Sequence, residues 1–161
     1  MMREQILTFL ERNSRIDLHE LAILLGSDEA VIANEVQQME KEEIICGYHT
    51  LINWDKTSSE KVTALIEVRV TPQRGQGFDS IAERIYNYPE VQSVYLISGG
   101  YDLLVILEGK TLKEVSGFVS DKLSTLDSVL STATHFILKK YKDDGIILSK
   151  KNKDERMLVT P

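Results

Sequence analysis

The spacing of apolar residues divides the chain of 161 residues into two parts with different periodicity. In the first part, apolar side chains recur every three or four residues, which is typical of amphipathic helices. Three helices are predicted there, over 3–12, after Asp17 and after Asp28. Asp17 with Glu20 is a capping-box pattern, Gly26 is a typical helix stop, and Asp28 can cap the third helix.

A short extended segment over 44–52 follows the three helices. Three short helices and an extended stretch are typical of a winged helix-turn-helix, whose third helix enters the DNA major groove. The alternative is a small three-helix bundle that only packs or dimerises. The polar, turn-rich stretch 55–60 predicts a linker, so the first domain is expected to be 1–55.

Beyond the linker, apolar and polar residues alternate, which predicts β-strands. The predicted strands are 62–70, 91–98, 101–108 and 129–141, with helices around 78–85 and 112–126. Gly99-Gly100 predicts a tight hairpin turn. The order βαββαβ is that of a ferredoxin-like fold. The chain is therefore predicted to be α+β, with a ferredoxin-like domain at 56–148 and a flexible tail at 149–161.

Charge changes this picture in one place. The chain has 19 Lys+Arg and 25 Asp+Glu, a net charge of −6, which excludes a uniformly basic protein that coats nucleic acid. Residues 1–55 carry four basic and eleven acidic side chains, so the acidity lies in the candidate DNA-binding domain. No apolar run approaches the length of about 18 residues expected of a membrane span, and the N-terminus is unlike a signal peptide. The single Cys46 cannot form an internal disulfide, and a cytoplasmic protein is expected.

Several segments together resemble the Lrp/AsnC family of bacterial and archaeal transcriptional regulators. They are RIDLHELAILLG, EEIICGYHTLIN, SGGYDLLVILEG and the closing strand STATHFILKKYK. The resemblance covers about residues 3–148. It implies a winged helix-turn-helix followed by a ligand-sensing RAM domain, and a homodimer built through the C-terminal sheets that often assembles into tetramers or octamers. It also implies amino-acid effectors where RAM domains meet, and double-stranded DNA bound through the third helix.

The resemblance assigns DNA contacts to the third helix and its surroundings. The expected DNA-binding residues are Arg15, Asp28, Ala30, Asn34, Gln37, Gln38 and Lys41. Asn and Gln side chains can read adenine edges. Lys41 is the only basic residue of this helix, where the family commonly has arginines, and Glu35 facing a phosphate would repel it. The alternative is a helix-turn-helix that has lost DNA binding and serves in effector sensing or assembly.

The glycine-rich hairpin of the second domain is the candidate effector site. The expected effector-binding residues are Gly99, Gly100, Tyr101, Asp102, Ser131, Thr132 and Thr134. Glycines let the backbone approach a small ligand, and the Asp102 carboxylate can pair with an α-ammonium group. The alternative is an ordinary turn with an aspartate beside it.

Enzyme signatures are weak in this sequence. It contains no serine–histidine or cysteine–histidine arrangement and no phosphate-binding glycine loop. His19, His49 and His135 lack metal-ligand spacing, so neither a metal nor a cofactor is expected. The enzyme alternative is a sirohaem decarboxylase, a class that resembles Lrp/AsnC proteins, for which only His135 with Arg69 or Arg84 is a candidate.

Overall fold

The chain divides into two compact units in the computed structural model, which describes residues 1–72, 74–75 and 77–149. The first unit is Met1–Leu51 and the second begins at Ile52, whereas the predicted boundary followed residue 55. The predicted tail at 149–161 lies outside the described residues, except for Ser149. No helix within the described ranges has the length and apolar character needed to cross a membrane.

The first unit is built from α1 (Met2–Arg12), α2 (Leu18–Leu25) and α3 (Glu29–Lys41). Its core consists of Ile6, Leu21, Ala22, Ile32, Val36 and Met39. The Asp17 carboxylate accepts hydrogen bonds from the backbone N–H groups of His19 (2.8 Å) and Glu20 (3.3 Å), so the predicted cap of α2 is confirmed. Gly26 ends α2 with a left-handed φ of 62°.

The segment after α3 is irregular. Ile44 and Ile45 both donate their N–H groups to the Met39 carbonyl, which holds the chain at the end of the helix. No strand forms between α3 and the short 3-10 turn Trp54–Lys56, so the wing region has no paired strands in this part of the chain. Asp28 does occupy the N-cap position of α3, but its carboxylate makes no capping hydrogen bond.

The second unit has the predicted βαββαβ order. Its elements are β1 (Val62–Val70), α4 (Asp79–Tyr86), β2 (Val91–Leu96), β3 (Leu103–Gly109), α5 (Leu112–Phe118) and β4 (Val129–Phe136). A wider π-type turn, Val119–Leu123, continues α5. The strands form an antiparallel sheet in the order β2-β3-β1-β4, which is the ferredoxin-like arrangement expected.

Alternation along the strands gives the sheet two different faces. On the helix-covered face, Ala64, Ile66 and Val68 of β1 pack with residues of α4 and α5 in the core. On the other face, here called the open face, Leu65 lies opposite Ile106 on one side and His135 on the other. Leu65 and Ile106 are only half-buried, which leaves an apolar centre on the open face.

The turns differ from the sequence-based expectation. The Ile97 N–H donates to the Asp102 carbonyl at 2.8 Å and closes a four-residue loop, 98–101, in place of a two-residue turn at Gly99-Gly100. Strand β4 ends at Phe136, five residues early, because Phe136 pairs with Ala64 and the partner strand β1 begins at Val62. The chain then forms the small hairpin β5 (Lys142–Asp143) and β6 (Ile146–Ile147). Its turn residues Asp144 and Gly145 have φ values of 43° and 76°, and this Asp-Gly pair is a hairpin signal that the sequence analysis missed.

Candidate functional site

One face of α3 carries four of the expected DNA-binding residues in a single row. This reading stripe consists of Ala30, Asn34, Gln37 and Lys41. The spacing of four, three and four residues aligns them along the helix, and all four are exposed. Ile32, Val36 and Met39, on the opposite side, anchor α3 in the core. The burial pattern of the helix therefore turns its amide and lysine side chains outwards.

Arg3 of α1 holds two carboxylates on one flank, Glu35 of α3 and Glu42 directly after the helix. The Arg3 guanidinium donates from Nε to Glu35 at 2.7 Å, and from Nη1 and Nη2 to Glu42 at 2.7 and 3.3 Å. The hydrogen bonds to Glu42 and then to Glu35 raise the pKa of Arg3 above its usual value. The Glu35 side chain is only 28% exposed. The Glu35 carboxylate is therefore directed towards α1.

A third carboxylate is held on the other flank. The Tyr48 hydroxyl, from the irregular segment after α3, donates to Glu40 Oε1 at 2.7 Å. Partial burial, followed by the hydrogen bond to Glu40, raises the pKa of Tyr48 to about 12. A phenol is protonated at neutral pH, so Tyr48 is the donor of this hydrogen bond. Asn34 and Gln37 line the same open groove as this Glu40–Tyr48 pair.

The remaining expected DNA contacts lie at the edges of the stripe. Arg15 is exposed in the turn between α1 and α2, where its backbone N–H donates to the Asn13 side chain at 3.1 Å. Asp28 is exposed at the start of α3, and Gln38 is half-buried beside the stripe. The structure thus brings Ala30, Asn34, Gln37 and Lys41 into one surface and leaves Arg15, Asp28 and Gln38 outside that row.

Asp102 of the candidate effector loop has a structural role within the chain. Its backbone N–H donates to the Val68 carbonyl at 3.1 Å, and its carboxylate accepts from the Val70 N–H at 2.9 Å. Both bonds extend the pairing of β1 with β3 beyond the last registered pair, Val68 with Leu103. A register shift between Arg69 and Val70 on the β4 side occurs at the same point. Asp102 therefore fixes the loop to the end of β1.

The two glycines of this loop are not required by the backbone around them. Gly99 and Gly100 are exposed, and neither has a φ in the left-handed region. A Cβ on Gly100 would meet nothing within 4 Å, and one on Gly99 would make ordinary contact with Ile97 at 3.7 Å. Tyr101, next in the loop, is half-buried. The protomer leaves open space at the loop tip.

The three hydroxyl residues of β4 divide between the two faces of the sheet. Ser131 lies opposite Arg69 on the open face, whereas Thr132 and Thr134 lie opposite Val68 and Ile66 on the helix-covered face. The Thr132 hydroxyl is 3.4 Å from that of Ser124. Ser131 and Thr132 reach the same end of the sheet as Asp102, with β1 between them. Except for Thr134, which lies in mid-strand opposite Ile66, the predicted effector residues share one end of the sheet, but they do not form one surface.

Arg3 and Tyr48 are the residues that sequence reasoning missed. Arg3 is 32 positions from Glu35 and 39 from Glu42, so no local pattern signals these pairs. Tyr48 is eight positions from Glu40, across a segment without regular structure. Among the described residues, no three His, Cys, Asp or Glu side chains come together as metal ligands would.

Comparisons with known proteins agree with this architecture. A family model for the Lrp/AsnC ligand binding domain matches residues 63–147. The uncharacterised HTH-type transcriptional regulator YugG of Bacillus subtilis (strain 168) is 51% identical over 158 residues, covering 98% of this chain and 95% of YugG. The proline dehydrogenase transcriptional activator of Rhodobacter capsulatus is 29% identical, over 81% of this chain and 84% of that protein.

Solved structures show the same fold. The transcriptional regulator NMB0573 of Neisseria meningitidis, solved with L-Met, matches with a TM-score of 0.70 and 23% identity, over 88% of this chain and 91% of the other. AsnC of E. coli matches with a TM-score of 0.66 and 22% identity, over 86% and 91% of the two chains. The extent of the YugG match and of the ligand-binding-domain match establishes the family. The chain belongs to the Lrp/AsnC family of helix-turn-helix transcriptional regulators.

Proposed function

We propose that this regulator binds double-stranded DNA through the reading stripe of α3, and that an amino acid or related small molecule regulates it from the Gly99–Asp102 loop. The observation that carries the DNA proposal is the composition of the stripe. It is exposed, holds two amides and one lysine, and contains no carboxylate. Three of the acidic residues that made DNA binding doubtful from sequence, Glu35, Glu40 and Glu42, lie beside the stripe, each with a hydrogen-bond partner inside the unit.

The chemistry of the stripe favours base reading over phosphate binding. Amide side chains can form paired hydrogen bonds with adenine, and an alanine methyl can contact the thymine methyl. Asn34, Gln37 and Ala30 supply these groups. Lys41 is the only cation of the stripe, and Arg15 at its edge adds a second. Specificity for A·T-containing sites with a shallow salt dependence follows from this composition.

The loop site supports a small amphoteric ligand. The open tip at Gly99 and Gly100 can admit a carboxylate close to backbone N–H groups, and one Asp102 oxygen holds Val70 while the carboxylate keeps its negative charge for an α-ammonium. Because the predicted residues reach one end of the sheet on two faces, the site needs a second protomer to close it. A ligand shifts the arrangement of the DNA-binding units only by its differential affinity for two arrangements.

The open face of the sheet supports the dimer that such a site requires. Leu65, Leu104 and Ile106 form the apolar centre of this face. Beside this centre, Glu67 Oε1 lies 3.4 Å from His135 Nε2. A specific interface of standard size buries about 1,600 Å² in total, and an apolar centre with a polar rim suits one. Sedimentation of the full chain tests this, since Ile106→Glu is expected to convert the dimer, or its tetramer or octamer, to smaller species.

Fluorescence anisotropy of the full chain tests DNA binding. The probe is a labelled duplex from the region upstream of its own coding sequence, with a scrambled duplex as control, at two salt concentrations. The expected result is tighter, moderately salt-sensitive binding to the upstream duplex. A folded oligomer that shows no preference at low salt contradicts the proposal and favours the sensor or assembly alternative.

The effector is tested by adding each of the twenty amino acids to the same assay, beginning with L-methionine because of the NMB0573 complex. We place the protein's action in the cytoplasm, on chromosomal DNA, and without catalysis, which the naming of its relatives as transcriptional regulators supports. A sirohaem-decarboxylase role predicts tetrapyrrole binding with visible absorbance, so a titration without a spectral change counts against that alternative.

A further inference from the structure

We propose that Arg3 is a positioning residue for DNA recognition, which sets the DNA affinity of α3 by holding Glu35 and Glu42 without touching DNA itself. The inference rests on the proposed function and assigns a role to α1, which lies outside the helix-turn-helix pair. Its structural basis is one guanidinium shared between two carboxylates of the candidate recognition helix.

The geometry of the cluster assigns Arg3 to α3. Its Nε, Nη1 and Nη2 all donate to Glu35 or Glu42. These two glutamates are seven positions apart, two helical turns along one flank. The fork of donors that could otherwise clasp a phosphate is therefore directed at α3. One arginine partly neutralises two acidic groups on the side of the helix that faces α1.

The sign of the effect follows from the charges. Without Arg3, the Glu35 and Glu42 carboxylates lose the hydrogen-bonded partner that directs them at α1, beside a helix that must approach phosphates. Charges separated by less than the Debye length, about 10 Å at 0.1 M salt, still interact. Released glutamates also gain the freedom to swing towards the DNA. Removing Arg3 is therefore expected to weaken DNA binding, most at low salt.

A direct contact between Arg3 and a phosphate predicts the same loss for a different reason. The two explanations separate when the glutamates are removed first. If Arg3 acts through Glu35 and Glu42, its own substitution has no effect once both are glutamine. If Arg3 binds a phosphate, the loss persists in that background. A double-mutant cycle measures this coupling directly.

The experiment compares four full-length proteins on the labelled upstream duplex at 50 and 150 mM salt. They are the wild type, Arg3→Gln, Glu35→Gln/Glu42→Gln, and the triple variant. Arg3→Gln is expected to bind about three- to tenfold more weakly at the lower salt concentration. The triple variant is expected to match Glu35→Gln/Glu42→Gln within about twofold. Lys140→Gln, which removes one positive charge from the second unit, is the charge-matched control and is expected to leave the affinity unchanged.

Each other outcome overturns the inference. A loss that persists in the Glu35→Gln/Glu42→Gln background assigns Arg3 to the DNA itself, and an unchanged Arg3→Gln affinity shows that the cluster does not matter for binding. If thermal unfolding shows that Arg3→Gln is not folded, the Glu35→Gln/Glu42→Gln protein becomes the test. The inference requires this variant to bind the upstream duplex at least as tightly as the wild type does. A wild type without specific binding overturns the proposed function as well, so the two failures are distinguishable.

Discussion

The two candidate sites use charge in opposite ways. Beside the reading stripe, internal partners take up carboxylates that would oppose DNA, as Arg3 does for Glu35 and Glu42. In the effector loop, a carboxylate that would favour the ligand is already hydrogen-bonded to the chain's own backbone, since Asp102 accepts from the Val70 N–H. A count of charges in a sequence therefore does not give the chemistry of a surface, because each charge is first available to the chain itself.

The sites also differ in completeness. Four residues of one helix form the reading stripe, so its geometry follows from α3 alone. The effector residues come from a loop and from β4, on two faces of the sheet. A surface made by one helix can act within one protomer, whereas the loop site, as proposed, is completed by a second protomer. The following substitutions test this contrast.

The largest expected effect is the loss of specific DNA binding in Asn34→Ala/Gln37→Ala. Each paired amide–adenine contact contributes about 1–3 kcal/mol of discrimination, so the double variant is expected to lose about 100-fold in affinity for the upstream duplex. Affinity for scrambled DNA should change little. Anisotropy measures both, with Gln5→Ala, an exposed amide on α1, as the matched control. An unchanged preference for the upstream duplex would remove the stripe from the interface.

The second effect concerns Asp102 and separates its structural role from its proposed ligand role. Asp102→Ala leaves the Val70 N–H without its acceptor, and the free energy of unfolding is expected to fall by about 1–3 kcal/mol. Asp102→Asn retains an oxygen acceptor and should lose less than about 1 kcal/mol. Both variants lack the negative charge and should lose the amino-acid response. Urea unfolding and the anisotropy assay give the two readouts.

The asparagine variant is the decisive one in this pair, because alanine changes fold and charge together. Asp127→Asn, an exposed acidic residue, is the control for charge alone. An Asp102→Asn protein that responds normally to the effector would leave Asp102 with a structural role only.

The third effect compares two glycines. Gly145→Ala places a side chain at a φ of 76° in the β5–β6 turn, and we expect a loss of about 1 kcal/mol in the free energy of unfolding. Gly100→Ala has neither a left-handed φ nor a steric contact, so its stability should stay the same or rise by up to about 1 kcal/mol. If the loop tip binds the effector, Gly100→Ala nevertheless weakens the amino-acid response. An undiminished response would show that the ligand does not approach this backbone.

The smallest effect is expected for Tyr48→Phe. It removes the hydrogen bond to Glu40 without changing net charge at neutral pH, where a phenol is protonated. The released carboxylate is expected to weaken DNA binding by about twofold at low salt. Tyr86→Phe, an exposed tyrosine on α4, is the control. Tighter DNA binding by Tyr48→Phe would mean that the Tyr48–Glu40 hydrogen bond hinders DNA binding.

Local patterns were sufficient to predict most elements of the fold. The Asp17 carboxylate caps α2 through backbone N–H groups within three positions of it. The alternation of apolar and polar residues in β1 follows from which face of the strand packs against the core. Such signals span a few residues and can be read from one sequence. The outward position of Asn34 and Gln37 follows in the same way from the buried spacing of α3.

The missed features depend on contacts between distant residues or on competing turns. The orientation of Glu35 is set by Arg3, 32 positions away. The Gly99-Gly100 pair predicted a turn of two residues. In the structure, a backbone hydrogen bond between Ile97 and Asp102 closes a longer loop instead. Strand β4 stops at Phe136 because its partner strand β1 begins at Val62, two positions before Ala64, which pairs with Phe136.

A reading stripe with a single lysine also affects how the protein distributes itself along a chromosome. Nonspecific affinity comes almost entirely from phosphate neutralisation, and a genome offers at least about 10⁶ competing sites. If the proposed stripe is the DNA-binding surface, its single lysine predicts that these sites retain little of the protein. Most copies are then expected to stay available for the operator.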